Sequence, residues 1–82
     1  MLRSGSTGPH VRDLQQVLNV TVPLQPLLKV DGIFGPMTKA RVIAFQKQAR
    51  LAPDGIVGPV TSKALVGAVL SDLGAGTDLR RE

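Results

Sequence analysis

The chain writes one phrase twice, 23 residues apart: Val30-Asp31-Gly32-Ile33-Phe34-Gly35-Pro36-Met37-Thr38, then Pro53-Asp54-Gly55-Ile56-Val57-Gly58-Pro59-Val60-Thr61. Each copy reads as a turn that reverses the chain and starts a helix. The Asp carboxylate can accept backbone N–H bonds in an Asx-turn, and the glycine after it supplies a positive φ. Phe34 and Val57 then point inward as anchors. The second glycine lets the backbone turn closely, and proline follows where helices tolerate it best. Thr38 and Thr61, one turn in, are placed to bond a free backbone group.

Apolar spacing predicts three helices. Val11, Leu14, Val17 and Leu18 form one face of a helix over residues 9–19, with Pro9 in its first turn and Ser6 or Thr7 as its cap. Thr38, Val42, Phe45 and Ala49 share the core sector of a second helix over 36–50, and Thr61, Leu65 and Ala68 repeat that spacing in a third over about 59–70. Gln15 and Gln46 both fall on the boundary between the apolar and wet faces. Residues 20–30 hold two prolines and several β-branched residues, so they read as an extended connector that tucks Leu28 and Val30 inward. Residues 71–82 carry little pattern and are expected to form a flexible tail.

With 82 residues there is room for one domain and one core. At 43% hydrophobic and 20% charged the chain is too apolar for a disordered polyelectrolyte. It has no cysteine, hence no disulfide framework and no thiolate metal site. No apolar run approaches the roughly 20 residues that span a bilayer, and Met1-Leu2-Arg3-Ser4-Gly5 does not read as a signal peptide. The net charge of +4 and pI near 10.4 favour acidic partners without choosing among them.

Catalytic chemistry finds little to stand on. Asp31 and Asp54 could be taken as paired catalytic carboxylates, but each is better explained by its own turn. Neither segment has the alternating oxygen ligands and closing Glu of a calcium loop. His10 is the sole histidine, and no nearby acid or second His is expected to complete a metal site with it. Ser6, Thr7 and Ser62 lack a base. No cofactor is expected.

The order Gly5-Ser6-x-Gly8-x-x-Val11-x-x-Leu14-Gln15-x-x-Leu18, then Val30 to Thr38 with Val42 and Phe45-Gln46, then Leu51-x-x-Asp54 to Thr61 with Leu65, resembles a full peptidoglycan-binding domain. The likeness covers roughly residues 2–70. It implies an all-α, compact three-helix bundle without catalytic activity. Such modules usually stand beside cell-wall hydrolases or transpeptidases and hold them on the wall, which implies a cell-wall, periplasmic or extracellular setting. It further implies that Gln15 and Gln46 tie loop backbone. Ser62 stands where the family commonly has an aromatic, and Arg50 where a glycine often precedes Leu51. With no Trp or Tyr and two Phe assigned to the core, an aromatic platform for sugar stacking is missing.

Ligand contact is therefore expected to rest on hydrogen bonds and on Lys/Arg meeting stem-peptide carboxylates. The exposed stripe Lys39, Ile43, Lys47 and Arg50, with Arg41 on a neighbouring edge and Ile33 and Ile56 at the rim, is the candidate surface; an ordinary solvated helix face is the alternative. A second apolar edge, Val66, Leu70 and Leu73, is expected either to pack against Leu2 and the N-terminal arm or to meet a protein partner or a second copy. That edge motivates the alternative reading, an assembly module on the same fold. Nucleic acid is disfavoured, because the basic residues make one short stripe and Gly-Pro turns suit a helix-turn-helix poorly.

Overall fold

A computed structural model describes residues 1–74. Three helices follow one another, α1 (Pro9–Thr21), α2 (Pro36–Gln48) and α3 (Pro59–Gly74). Each opens on a Gly-Pro pair, so proline's missing N–H falls where no helical acceptor exists. The expected Ser6 or Thr7 cap is replaced by Gly8, and no side chain caps α1. The reason is local. Thr7 is held extended in an antiparallel bridge to Ile33, and Ser6 Oγ accepts the Arg3 N–H at 3.0 Å.

Helix α1 runs two residues past its expected end. Thr21 Oγ1 donates to the Val17 carbonyl at 3.0 Å, and the Val22 N–H reaches the Leu18 carbonyl at 2.8 Å. The helix stops short of Pro23, which disfavours a helical residue before it. Helix α3 overruns its expected end to Gly74; the remainder of the expected tail lies outside the described residues. Helix α2 is shorter than expected and ends in a Schellman turn. The Leu51 N–H reaches the Gln46 carbonyl at 2.7 Å and the Arg50 N–H reaches Lys47 at 3.1 Å. That turn sets Arg50 at φ 61°, the one positive φ outside glycine among the described residues. An L-residue there costs about 1 kcal/mol relative to glycine. Arg50→Gly is accordingly expected to stabilise the domain by about 1 kcal/mol, raising the midpoint of thermal unfolding by roughly 4–8 °C, which a circular dichroism melt would read.

The core is contiguous. Val11, Leu14 and Leu18 of α1 meet Val42 and Phe45 of α2 and Leu65 of α3, while Phe34 and Val57 enter from the two turns. Leu28 is the connector's buried anchor and Val30 is half-buried. Asn19 fixes Leu28 from both sides, accepting its N–H at 2.8 Å and donating to its carbonyl at 3.0 Å. Helix α1 lies against both α2 and α3.

The N-terminal arm crosses both turns. Leu2 exchanges backbone bonds with Val57 at 3.0 and 2.8 Å, Gly5 and Ser6 bond Phe34, and Gly8 bonds Gly32. These isolated bridges join the turns side by side without forming a strand among the described residues.

Candidate functional site

The two turns are held by two side-chain clamps of the same design. Gln15 of α1 is 1% exposed. Its Oε1 accepts the Gly32 N–H at 2.9 Å, and its Nε2 donates to the Ile33 carbonyl at 3.0 Å, to Asp31 Oδ1 at 3.1 Å and to Thr38 Oγ1 at 3.1 Å. Gln46 of α2 does the same one turn later, taking the Gly55 N–H at 2.9 Å and giving to Ile56, Asp54 and Thr61 at 3.0, 3.0 and 3.1 Å. A buried primary amide offers both a donor and an acceptor, which lets one side chain satisfy an N–H and a carbonyl that face each other across a tight turn. Helices α1 and α2 thus each grip the turn that starts the next helix. Thr38 and Thr61, expected to bond backbone, instead accept from the glutamines.

Asp31 Oδ1 accepts the Ile33 N–H at 2.9 Å and Asp54 Oδ1 the Ile56 N–H at 2.9 Å, closing the Asx-turns. Those backbone bonds, with the glutamine amides second, hold both carboxyls below their ordinary value of 3.8. A general acid would need a shift in the opposite direction. A carboxyl whose folded pKa is depressed contributes stability above its unfolded pKa and loses it as pH falls through the folded value. Acid unfolding is therefore expected to set in below about pH 4, and an Asp31→Asn/Asp54→Asn variant should show a flatter dependence in that window. Denaturation midpoints between pH 7 and pH 2 check this.

Gly32 and Gly55 both adopt φ 75°. A Cβ on Gly32 would sit 3.2 Å from the Gly8 carbonyl oxygen, whereas one on Gly55 would meet the Lys39 stem at 3.0 Å and Ile43 Cγ1 at 3.5 Å. Lys39 and Ile43 therefore roof the second turn with their aliphatic parts. Ile43 is half-buried for that reason, and the Lys39, Lys47 and Arg50 side chains remain exposed.

Arg41 does not join that stripe. It is 7% exposed, and its guanidinium donates to the Val22, Leu24 and Pro26 carbonyls at 3.4, 3.2 and 2.8 Å. The expectation that it flanks the ligand surface is corrected. A connector with two prolines leaves carbonyls without partners, and a forked donor gathers three of them. Nothing in the helical spacing reveals this; the poorly satisfied connector backbone was the available signal. Ile33 is 55% exposed, as expected of the outward turn residue, while Ile56 is half-buried.

The other apolar edge divides. Leu2 of the arm lies over Val57 and is half-buried, but Val66 and Leu70 stay 57% and 61% exposed, so the arm does not cover them. The Leu73 side chain lies outside the described residues. Leu2, Val66 and Leu70 border a groove between α1 and α3 that also brings His10 and Asp13, one helical turn apart, to a common rim. The expectation of no acid near His10 is corrected, since Asp13 stands one helical turn further on and lines the same groove. No cluster of metal-ligating side chains occurs among the described residues.

Two Gln-clamped Asx-turns that each launch a helix define a class of small all-α module. The family model described as "Putative peptidoglycan binding domain" matches residues 7–65, which span both turns and all three helix starts, and the chain belongs to that family. The solved SleB N-terminal domain shares its fold at a TM-score of 0.75 and 34% identity, over 82% of this chain and 89% of that one. An L,D-transpeptidase segment from Xylanimonas cellulosilytica superposes at a TM-score of 0.74 with 46% identity, over 82% of this chain and 32% of that one. A "Probable N-acetylmuramoyl-L-alanine amidase" of Bacillus licheniformis is 39% identical over 74 residues, 90% of this chain. The chain spans 21% of that amidase.

Proposed function

We propose that this domain is a non-catalytic peptidoglycan-binding module that keeps an associated catalytic unit or wall protein at its substrate. The observation that carries the reading is the family match across residues 7–65, within which both clamps are intact. Relatives in which a segment of this kind makes up a fifth to a third of the chain include an amidase and a transpeptidase by name, which supports a tethering role and action at the cell wall or outside the cell. No helix among the described residues is long and apolar enough to cross a membrane.

Lys39, Lys47 and Arg50, with Ile43 on the same helix and Ile33 of the first turn, are the proposed contact for stem-peptide carboxylates. Arg41 is excluded because its donors are committed to backbone. Arg50 supports the assignment, since a residue held at a strained φ where glycine is easier is a candidate for function. Two results with opposite signs test the surface. Arg50→Gly should be more stable yet bind insoluble peptidoglycan less well. A Lys39→Gln/Lys47→Gln/Arg50→Gln variant should lose roughly tenfold in affinity at low salt, a few tenths to 1 kcal/mol per exposed charge. Unchanged pelleting of that triple variant would remove the stripe from the site.

A further inference from the structure

The 23-residue repeat of the two turns also points to a position on α3. Shifting Gln46 by the 23-residue spacing of the two turns lands on Val69 of α3. Helix α2 uses this position to clamp the turn that follows it; α3 carries an apolar side chain there. Val69 lines a groove of about 340 Å³ that the described residues leave between α1 and α3. Its floor is aliphatic, from Leu14 and Val17 on one side and Leu65 and Val69 on the other.

Among the described residues no Lys or Arg lines this groove, and the titratable groups on it are His10 and Asp13 of α1. Of the carboxylates with described side chains, Asp31 and Asp54 are consumed by their turns. Asp13 has no hydrogen bond to its side chain and no ion pair among the described residues, and it is exposed at the groove's edge. An aliphatic trough ending at a free carboxylate is complementary to a short methylene chain that carries a primary ammonium. It is a poor match for a carboxylate or phosphate, which Asp13 repels, and for a sugar ring, which finds no aromatic face there.

We propose that the α1–α3 groove binds the side-chain ammonium of a stem-peptide diamino acid, with its methylenes on the aliphatic floor and Asp13 receiving the charge. This rests on the wall-binding reading and specifies which part of the polymer is held. The groove and the basic stripe on α2 would then recognise opposite charges of the same polymer.

The test uses the full chain and purified insoluble peptidoglycan in two forms, with free diamino-acid amines and with those amines acetylated. Acetylation makes the polymer more negative, so attraction to a chain of charge +4 alone predicts tighter binding. The groove predicts the reverse, a loss of about fivefold. Asp13→Asn, at an exposed position, should keep the wild-type melting curve, lose a similar factor on the free-amine polymer, and show no further loss on acetylation. Amide resonances of Val66, Val69 and Leu70 should move when a soluble stem tetrapeptide with a free side-chain amine is added, and not with its N-acetyl form. Equal binding of both polymers, or an equal acetylation effect in wild type and Asp13→Asn, would overturn the groove assignment while leaving wall binding intact. A dimer in light scattering that Leu70→Ser dissociates would assign the face to a second copy instead. Failure of the wild type to bind either polymer would defeat the wall reading and this inference together.

Discussion

Gln46→Leu is expected to abolish cooperative folding at 37 °C. The substitution keeps the volume of the side chain and removes four hydrogen bonds at once. Gln46 is 1% exposed, so water cannot take its place beside Gly55, itself buried. The Gly55 N–H and the Thr61 hydroxyl become orphans, at about 1–3 kcal/mol each, and the Asx-turn loses the amide that holds Asp54. A total near 3–5 kcal/mol follows, about the whole stability of a domain this size. Gln15→Leu, in the matching clamp, is expected to do the same. A circular dichroism melt reads both variants. A cooperative transition within about 5 °C of wild type, the shift that a change of only roughly 1 kcal/mol produces, would show that the clamps do not hold the fold.

Arg41→Leu should be the next most damaging change, at about 2–3 kcal/mol. The guanidinium lies within the protein and its contacts are three carbonyls, so its loss strands acceptors in the connector rather than breaking a surface ion pair. The cost is smaller than at Gln46 because Leu24 and Pro26 are exposed and water can reach their carbonyls. Arg41→Lys should recover little, since one ammonium cannot reproduce the fork. Urea denaturation measures the loss, and hydrogen exchange should localise it to the Leu28 amide. Folded Arg41→Leu protein is expected to pellet with peptidoglycan as wild type does. A binding defect without a stability defect would return Arg41 to the ligand surface.

Much of the fold was legible because the informative residues act locally. Asp-Gly and Gly-Pro have few conformations open to them, so the turns and the starts of α2 and α3 follow from the residues themselves. Gly8-Pro9 carries the same signal for α1, yet Ser6 and Thr7 drew the expected cap away from it. Their involvement with Arg3 and Ile33 is a contact between segments far apart in the chain or across a turn, which no local preference encodes. Arg41 illustrates the same limit. Its place next to the core sector of α2 was visible, but whether it faced solvent depended on the path of residues 22–28. The groove required still more, because Asp13 and Val69 become neighbours of one space only when α3 returns to α1. Val69 nevertheless stands one repeat after Gln46, and the break in the pattern at that position was readable.

The measurement closest to the central claim is co-sedimentation of the isolated domain with purified insoluble peptidoglycan across a salt series. The account predicts saturable pelleting at low salt that weakens toward 0.15 M, roughly where the Debye length has fallen to 8 Å and exposed charges are screened, with no release of soluble muropeptides. A domain that stays in the supernatant at low salt, while a known wall binder pellets from the same suspension, would contradict it.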